Sequence, residues 1–327
     1  MDKVSAPPFI IGIIGGGVAG MSCALWLKHL GFAPVIIEQH TKLGGQLLDL
    51  NRINRWVLGA LDKTSVELAL CYAEHVNVEA IPISYDAHLI AVSAKPTGYE
   101  VVIENADRTT LTFSVRALVI ATGVKVLSHE IFGGIPGSQA LFNAGFISFS
   151  PIGHIEKLAA LNGKTVAVIG GGDNAHFTAK DVALAGAHTY LLMRSHSKAR
   201  PAIRTEVKDL IAQGQITERT GTQITAFKEH QDRIEIVLMR VDGVTERIVV
   251  DMIFARTGFA ANTEFLDAFD VFSGINKTAG YLVTDAAKRT SIPWVYAIGD
   301  VANPKHQSVV GAIADGAIAA QDLSERI

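Results

Sequence analysis

Two runs of glycine carry the clearest chemical signal in this chain. The first is Gly15-Gly16-Gly17-Val18-Ala19-Gly20, and the second is Gly170-Gly171-Gly172-Asp173-Asn174-Ala175. In such a turn the first glycine permits the tight bend. The second lets backbone approach a pyrophosphate, and the third position must be small so that helix and strand pack closely. The helix that follows offers unpaired N–H groups and a positive dipole end to the phosphates. Glu38 stands twenty-three residues after Gly15. A carboxylate there accepts hydrogen bonds from ribose hydroxyls, as in FAD or NAD. The same spacing from Gly170 reaches Met193, and Arg194, Lys198, Arg200 and Arg204 follow it. Cations without an acid suit a ribose 2′-phosphate, so the second turn reads as an NADPH site. Two dinucleotide sites of different ribose chemistry are the plan of a flavoprotein reductase, with FAD in the first and NADPH in the second.

The elements around these turns repeat. Phe9–Ile14 is an apolar run of strand type, Met21–Leu30 is helical, and Pro34–Glu38 is a second strand. Thr165–Ile169, a helix to Ala185 and the run His188–Met193 repeat that order. Gly15 and Gly31 stand sixteen apart, as do Gly170 and Gly186. Each copy reads as a βαβ unit. Between them, Tyr85–Glu104 and Thr109–Val115 alternate as antiparallel strands, and 117–123 is an apolar strand that ends in Gly123. Val244–Ala255 and Trp294–Ile298 read as further strands, the latter running into Gly299-Asp300, and Gln307–Leu323 reads as a helix. The expected fold class is α/β, with two Rossmann-like three-layer domains. An NADPH domain over 125–256 is expected to interrupt an FAD domain made of 1–124 and 257–327. The crossings would fall near Gly123 and Gly258.

Composition narrows the classes. The chain has 327 residues, enough for about two domains. With 49% hydrophobic and 19% charged residues it is far from the disordered range. The net charge is -3 and no basic block is present, which sets nucleic-acid binding aside. There are two cysteines, Cys23 and Cys71, so no CxxC pair and no metal-ligand spacing exists. The opening MDKVSAPPF has no basic stretch followed by an apolar run, and no run approaches the ~18 residues that span a bilayer. The expectation is a cytoplasmic protein with no membrane partner and no metal.

Taken together, these motifs closely resemble the thioredoxin-reductase-like branch of the pyridine nucleotide-disulfide oxidoreductases, class II. The matching pieces run through almost the whole chain: 15–20, Glu38, Gly44-Gly45-Gln46, Ala121-Thr122-Gly123, 170–175, Gly258-Phe259 with Asn262-Thr263, Gly299-Asp300, Gln307 and 314–320. The resemblance implies that Gly15, Gly17, Gly20 and Glu38 hold the ADP half of FAD. It places Gly45 and Gln46 along the pyrophosphate and flavin, and Thr122, Gly123 and Gly299 in the same site. Asp300 would bind the ribityl chain and Gln307 the pyrimidine edge. Gly170, Gly172, Asp173, Asn174, Ala175, Arg194, Lys198, Arg200 and Gly258 fall to NADPH. The resemblance also implies a homodimer and a hinge at the two crossings.

One departure bears on function. Thioredoxin reductases carry a CxxC dithiol shortly before the second glycine motif. Counting back without gaps, that place here reads Gly153-His154-Ile155-Glu156. The family's usual basic residue before the C-terminal glutamine is His306. Without two neighbouring thiols, exchange with a disulfide lacks both the attacking thiolate and the thiol that resolves the mixed disulfide. The expected activity is therefore an NADPH-dependent FAD oxidoreductase. It would pass electrons from flavin directly to a non-dithiol acceptor: a quinone, ferredoxin or flavodoxin, or another small acceptor. The flavin itself would be the redox centre, with no catalytic side chain. Two alternatives stay open. One is a disulfide reductase that uses an atypical cysteine, and the other is a flavin redox sensor without turnover.

Overall fold

The computed structural model describes residues 9–50 and 52–327. The segment 1–8, where a secretory signal was sought in the sequence, lies outside them. The chain divides into two compact units. One is the chain up to Lys125 together with Ala260–Ile327, and the other is Val126–Phe259.

The first unit is built on a five-stranded parallel sheet. Its order is Val295–Ala297, Ala117–Ile120, Ile10–Ile14, Ala33–Ile37, Ile83–Ser84. Side chains alternate between the faces of a strand. Ile11 and Ile13 accordingly join Leu27, Ile36 and Leu323 under the helices, while Ile14, Leu118 and Ile120 meet Tyr99, Val101 and Ile103 on the other side. The helical layer is Val18–His29, Ser65–Val78 and Val309–Arg326. The opposite layer is an antiparallel sheet of His88–Lys95, Gly98–Glu104 and Thr110–Val115. A sheet covered on both faces requires apolar strands, which is why 117–120 reads ALVI. Each fully buried Ile or Leu contributes about 1.5–3 kcal/mol.

The second unit repeats the plan. Its parallel sheet runs Ile216–Arg219, His188–Leu192, Thr165–Ile169, Met252–Ala255, Ile147–Ser148. Helices Asp173–Leu184 and Pro201–Ala212 and an antiparallel sheet of Thr222–His230, Arg233–Arg240 and Thr245–Val250 complete it. The repeat extends to the register. Ile10 lies opposite Ala33 and Ile14 opposite Ile37, as Thr165 lies opposite His188 and Ile169 opposite Leu192.

Several expected boundaries move. The single strand Val244–Ala255 is two strands, 245–250 in the antiparallel sheet and 252–255 in the parallel one. Asp251 makes the crossing, its carboxylate accepting from Thr165 N at 2.8 Å and pairing with Arg233 Nε at 3.3 Å. Tyr85–Glu104 is a hairpin that turns at Pro96-Thr97. The basic run ends in a helix that takes Arg204 with it, Pro201 standing at the first helical position, where its missing N–H is no loss. The last helix starts after Ser308, whose side chain accepts from Gly311 N at 3.1 Å, so Gln307 precedes the cap. Among the described residues no helix is long and apolar enough to cross a membrane.

Candidate dinucleotide-binding sites

In the first unit, the strand Ile10–Ile14 ends in Gly15. A side chain at Gly15 would put Cβ 2.5 Å from Ala121 O, and its φ of +107° disfavours any other residue. A Cβ at Gly20 would lie 2.0 Å from Gly15 O, so the helix packs against the turn only because this position is bare. Gly17 differs from both. It caps the helix Val18–His29 in extended backbone, and nothing lies within 4 Å of where its Cβ would stand. That open space at a helix N-terminus is the cradle a pyrophosphate needs. Glu38 lies under the turn, 5% exposed, where its Oε2 accepts from Gly16 N at 2.6 Å and its Oε1 from His40 N at 2.9 Å.

Of the other predicted residues, Gly45 and Gly299 pack against this turn and its helix. A Cβ on Gly45 would stand 3.2 Å from Gly17 Cα, and Gly44 N donates to Gly16 O at 3.0 Å, which seats the second loop on the first. Gln46 Nε2 donates to Val124 O at 3.2 Å, Thr122 Oγ1 donates to Asn262 O at 2.8 Å, and Asn262 N donates to Gly123 O at 3.0 Å. Gly299 abuts Ala19, since its Cβ would lie 2.8 Å from that of Ala19. Gly299 N donates to Asp315 Oδ2 at 3.0 Å, and Lys288 Nζ pairs with Asp315 at 2.6 Å. Gly316 lets the last helix lie directly on the first: a Cβ there would be 2.7 Å from both Ala19 O and Cys23 N. Burial pushes the Asp300 carboxyl up to about 6. Repulsion from Asp315 adds to this, and a hydrogen bond from the Ser308 backbone opposes it. Gln307 Nε2 reaches Tyr281 Oη at 3.3 Å. The open cradle, the buried carboxylate and these polar side chains fit FAD.

The second unit repeats the turn with different walls. A Cβ on Gly170 would lie 2.1 Å from Arg256 O, and Ala175, in the third small position, is fully buried. Gly172 again caps its helix in extended backbone with nothing within 4 Å of its Cβ position. Met193 takes the place of Glu38. It is 1% exposed, with Cγ and Sδ 3.6 Å from a Cβ placed on Gly171. Arg194, Lys198 and Arg200 are exposed beyond it. Lys198 N donates to Gly171 O at 2.7 Å, and Arg200 N donates to Asp173 Oδ1 at 2.9 Å. The Arg200 guanidinium also pairs with Asp173, Nε to Oδ2 at 3.2 Å. Asn174 is exposed in the first turn of the helix, and Gly258 O accepts from Leu127 N at 3.1 Å.

The family model for pyridine nucleotide-disulphide oxidoreductases matches residues 10–316. The chain belongs to this family. Among curated relatives it is 26% identical over 321 residues to an alkyl hydroperoxide reductase subunit of Pseudomonas aeruginosa, covering 97% of this chain and 58% of that protein. It is also 26% identical over 322 residues to an NADH dehydrogenase of Ferdinandcohnia aciditolerans, 96% of this chain and 56% of the other. The chain thus spans under three fifths of the length of these relatives. Among solved structures, thioredoxin reductase of T. acidophilum superposes with a TM-score of 0.81 at 23% identity, covering 98% of this chain and 99% of that one. Bacillithiol disulfide reductase of Bacillus cereus gives 0.81 at 19% identity, with 98% and 100% covered. These two likenesses speak for the fold. The family's description names a pyridine nucleotide, and the two glycine turns described above fit dinucleotide ligands.

The chain holds no sulfur at the place where the resemblance puts a dithiol. His154 is fully buried there. Arg256 Nη2 lies 3.3 Å from its Nδ1 and Asp181 Oδ2 lies 3.0 Å from its Nε2. Arginine only donates, so Nδ1 accepts and Nε2–H donates to Asp181. Arg256 also donates to Thr178 Oγ1 at 3.0 Å and to Ser148 O at 3.2 Å. Glu156 is exposed and takes no part in this cluster. Cys23 is buried in the first helix, which pushes its thiol pKa up, and Cys71 is exposed on the helix Ser65–Val78. Two residues were missed by the sequence reading. Arg256 lies behind the second turn, and His176 bridges Gly172 O and Ser197 Oγ at 3.0 Å each. Each acts across a long sequence separation or on a neighbouring backbone, and no local pattern announces either.

Proposed function

We propose that the chain is an NADPH-dependent FAD oxidoreductase that passes electrons to an acceptor without a protein dithiol, such as a quinone, a ferredoxin or flavodoxin, or another small acceptor. Bound FAD would supply the redox centre, taking two electrons from the nicotinamide and releasing them singly or as a pair. The first unit's residues would bind and orient it. The N–H groups at Gly17 and the helix behind it would hold the pyrophosphate, Glu38 the ribose hydroxyls, Asp300 the ribityl chain and Gln307 the pyrimidine edge. In the second unit the turn at Gly170–Gly172 would take the pyrophosphate of NADPH. Arg194 and Lys198 would meet its 2′-phosphate, Met193 having removed the carboxylate that would repel it.

The observation that carries this reading is the sulfur-free, fully occupied environment of His154, together with the burial of Cys23 and the isolation of Cys71. An exchange relay needs an accessible thiolate and a second thiol to resolve the mixed disulfide. The test is an acceptor panel with NADPH and purified holoenzyme: ferricyanide, a soluble quinone, ferredoxin, flavodoxin, and oxidised thioredoxin or an aromatic disulfide. Turnover with ferricyanide or quinone, and none with the disulfides, supports the reading. Fast disulfide reduction that is lost in Cys71→Ser supports a disulfide reductase with an atypical cysteine instead.

A further inference from the structure

The cationic segment after Met193 is tied to the second glycine turn by a short set of hydrogen bonds. Lys198 N donates to Gly171 O at 2.7 Å and Arg200 N to Asp173 Oδ1 at 2.9 Å. The third tie runs through a side chain. His176, 2% exposed on the first turns of the helix Asp173–Leu184, lies between Gly172 O and Ser197 Oγ, both at 3.0 Å. The partners settle where its proton sits. A backbone carbonyl only accepts, so Nδ1 carries the hydrogen and donates to Gly172 O. Nε2 must then accept, and the Ser197 hydroxyl donates to it. A lone pair of Ser197 Oγ accepts from Ala199 N at 3.2 Å. One imidazole therefore connects the capping residue of the helix to the loop that carries Lys198 and Arg200 and follows Arg194.

The two halves of a dinucleotide would feel this bridge differently. A pyrophosphate is held by backbone N–H groups and the helix end, which persist without it. A 2′-phosphate is held by side chains on the segment, whose placement depends on Ser197. We propose that His176 is a specificity-positioning residue. It holds the 194–200 segment against the glycine turn, so that a dinucleotide with a phosphate on its adenosine ribose is preferred to one with free hydroxyls. The proposal rests on reading the second turn as the NADPH site.

The experiment compares kcat/KM for NADPH and NADH, with ferricyanide as acceptor, in wild-type holoenzyme, His176→Ala, Ser197→Ala and the double variant. Flavin content and Tm are recorded for each. The NADPH/NADH ratio should fall about tenfold in each single variant, the size of one weakened charge-assisted contact. The double variant should fall no further, because both substitutions break one bridge. A merely structural histidine would lower both coenzymes together. That outcome, or an unchanged ratio in folded variants, overturns the assignment. If His176→Ala does not fold, Ser197→Ala on the half-exposed loop decides alone. Wild-type preference for NADH overturns the NADPH reading and the proposal with it. A wild-type preference for NADPH that both substitutions leave undiminished overturns the role of His176 only.

Discussion

Gly17→Ala separates the fold from the ligand. Gly17 has φ −72° and ψ −176°, backbone that alanine adopts without strain, and nothing stands within 4 Å of the added Cβ. Two small effects on the apoprotein oppose each other. Alanine narrows the unfolded ensemble and stabilises by about 0.4–1 kcal/mol. It is also a poorer helix cap than glycine, by a similar amount. The apoprotein should therefore keep its stability to within about 1 kcal/mol, a Tm change of roughly 2–4 °C at most. The ligand meets a different situation, because the methyl group projects into the space a pyrophosphate would fill. Overpacking of about 1–3 kcal/mol, with one displaced N–H···phosphate bond of about 1.5–3 kcal/mol, weakens FAD by about sixtyfold or more. Purified Gly17→Ala should be folded and nearly colourless, as read from the ratio of absorbance at the protein and flavin bands and from thermal melts. Gly20→Ala is the contrast, since its Cβ would lie 2.0 Å from Gly15 O and should lower the Tm of the apoprotein itself. A Gly17→Ala protein that retains full flavin with an unchanged Kd would refute the placement of FAD on this turn.

Gly172→Ala should act likewise on the second turn, raising the NADPH KM at least tenfold while flavin content stays at the wild-type level. Arg194→Ala should raise the NADPH KM by roughly tenfold to a hundredfold, the range of one lost charge-assisted contact, and change the NADH KM much less, as steady-state kinetics would show. The raised Asp300 carboxyl, about 6 in the fold against an ordinary value of 3.8, makes the apoprotein less stable as pH rises. The folded state keeps its proton where the unfolded chain has lost it, so the stabilising contribution is complete below about pH 4 and gone above about pH 6. Asp300→Asn should thus raise the apoprotein Tm at pH 7.5 and match wild type near pH 4, by calorimetry on flavin-free protein. An aromatic disulfide reagent should label one thiol per native chain, Cys71, and a second only after unfolding, because Cys23 is buried.

Much of this was legible because the chain repeats itself. The shared spacing from Gly15 to Glu38 and from Gly170 to Met193 is the strand register itself, Ile14 against Ile37 and Ile169 against Leu192. A residue type at such a fixed offset tells where its side chain stands, as Glu38 under Gly16 and Met193 under Gly171 both do. What was not legible depends on contacts no local pattern encodes. Asp251 splits an apolar run because it must face Thr165 and Arg233. The helix Pro201–Ala212 hides behind a run of cations that reads equally well as a loop. His154 reads as a stray histidine until Arg256 and Asp181 close on it from distant elements. His176 looks like any helical residue until the loop at Ser197 folds back.

The central claim is that electrons leave through flavin without sulfur. Holoenzyme carrying Cys23→Ala and Cys71→Ala together would be mixed with NADPH under anaerobic conditions in a stopped-flow instrument, then with ferricyanide or a soluble quinone. The flavin absorbance should bleach on NADPH and return on adding the acceptor, at rates within about twofold of wild type. A flavin that NADPH does not bleach, or one that bleaches and then no longer delivers electrons once both thiols are gone, would contradict it.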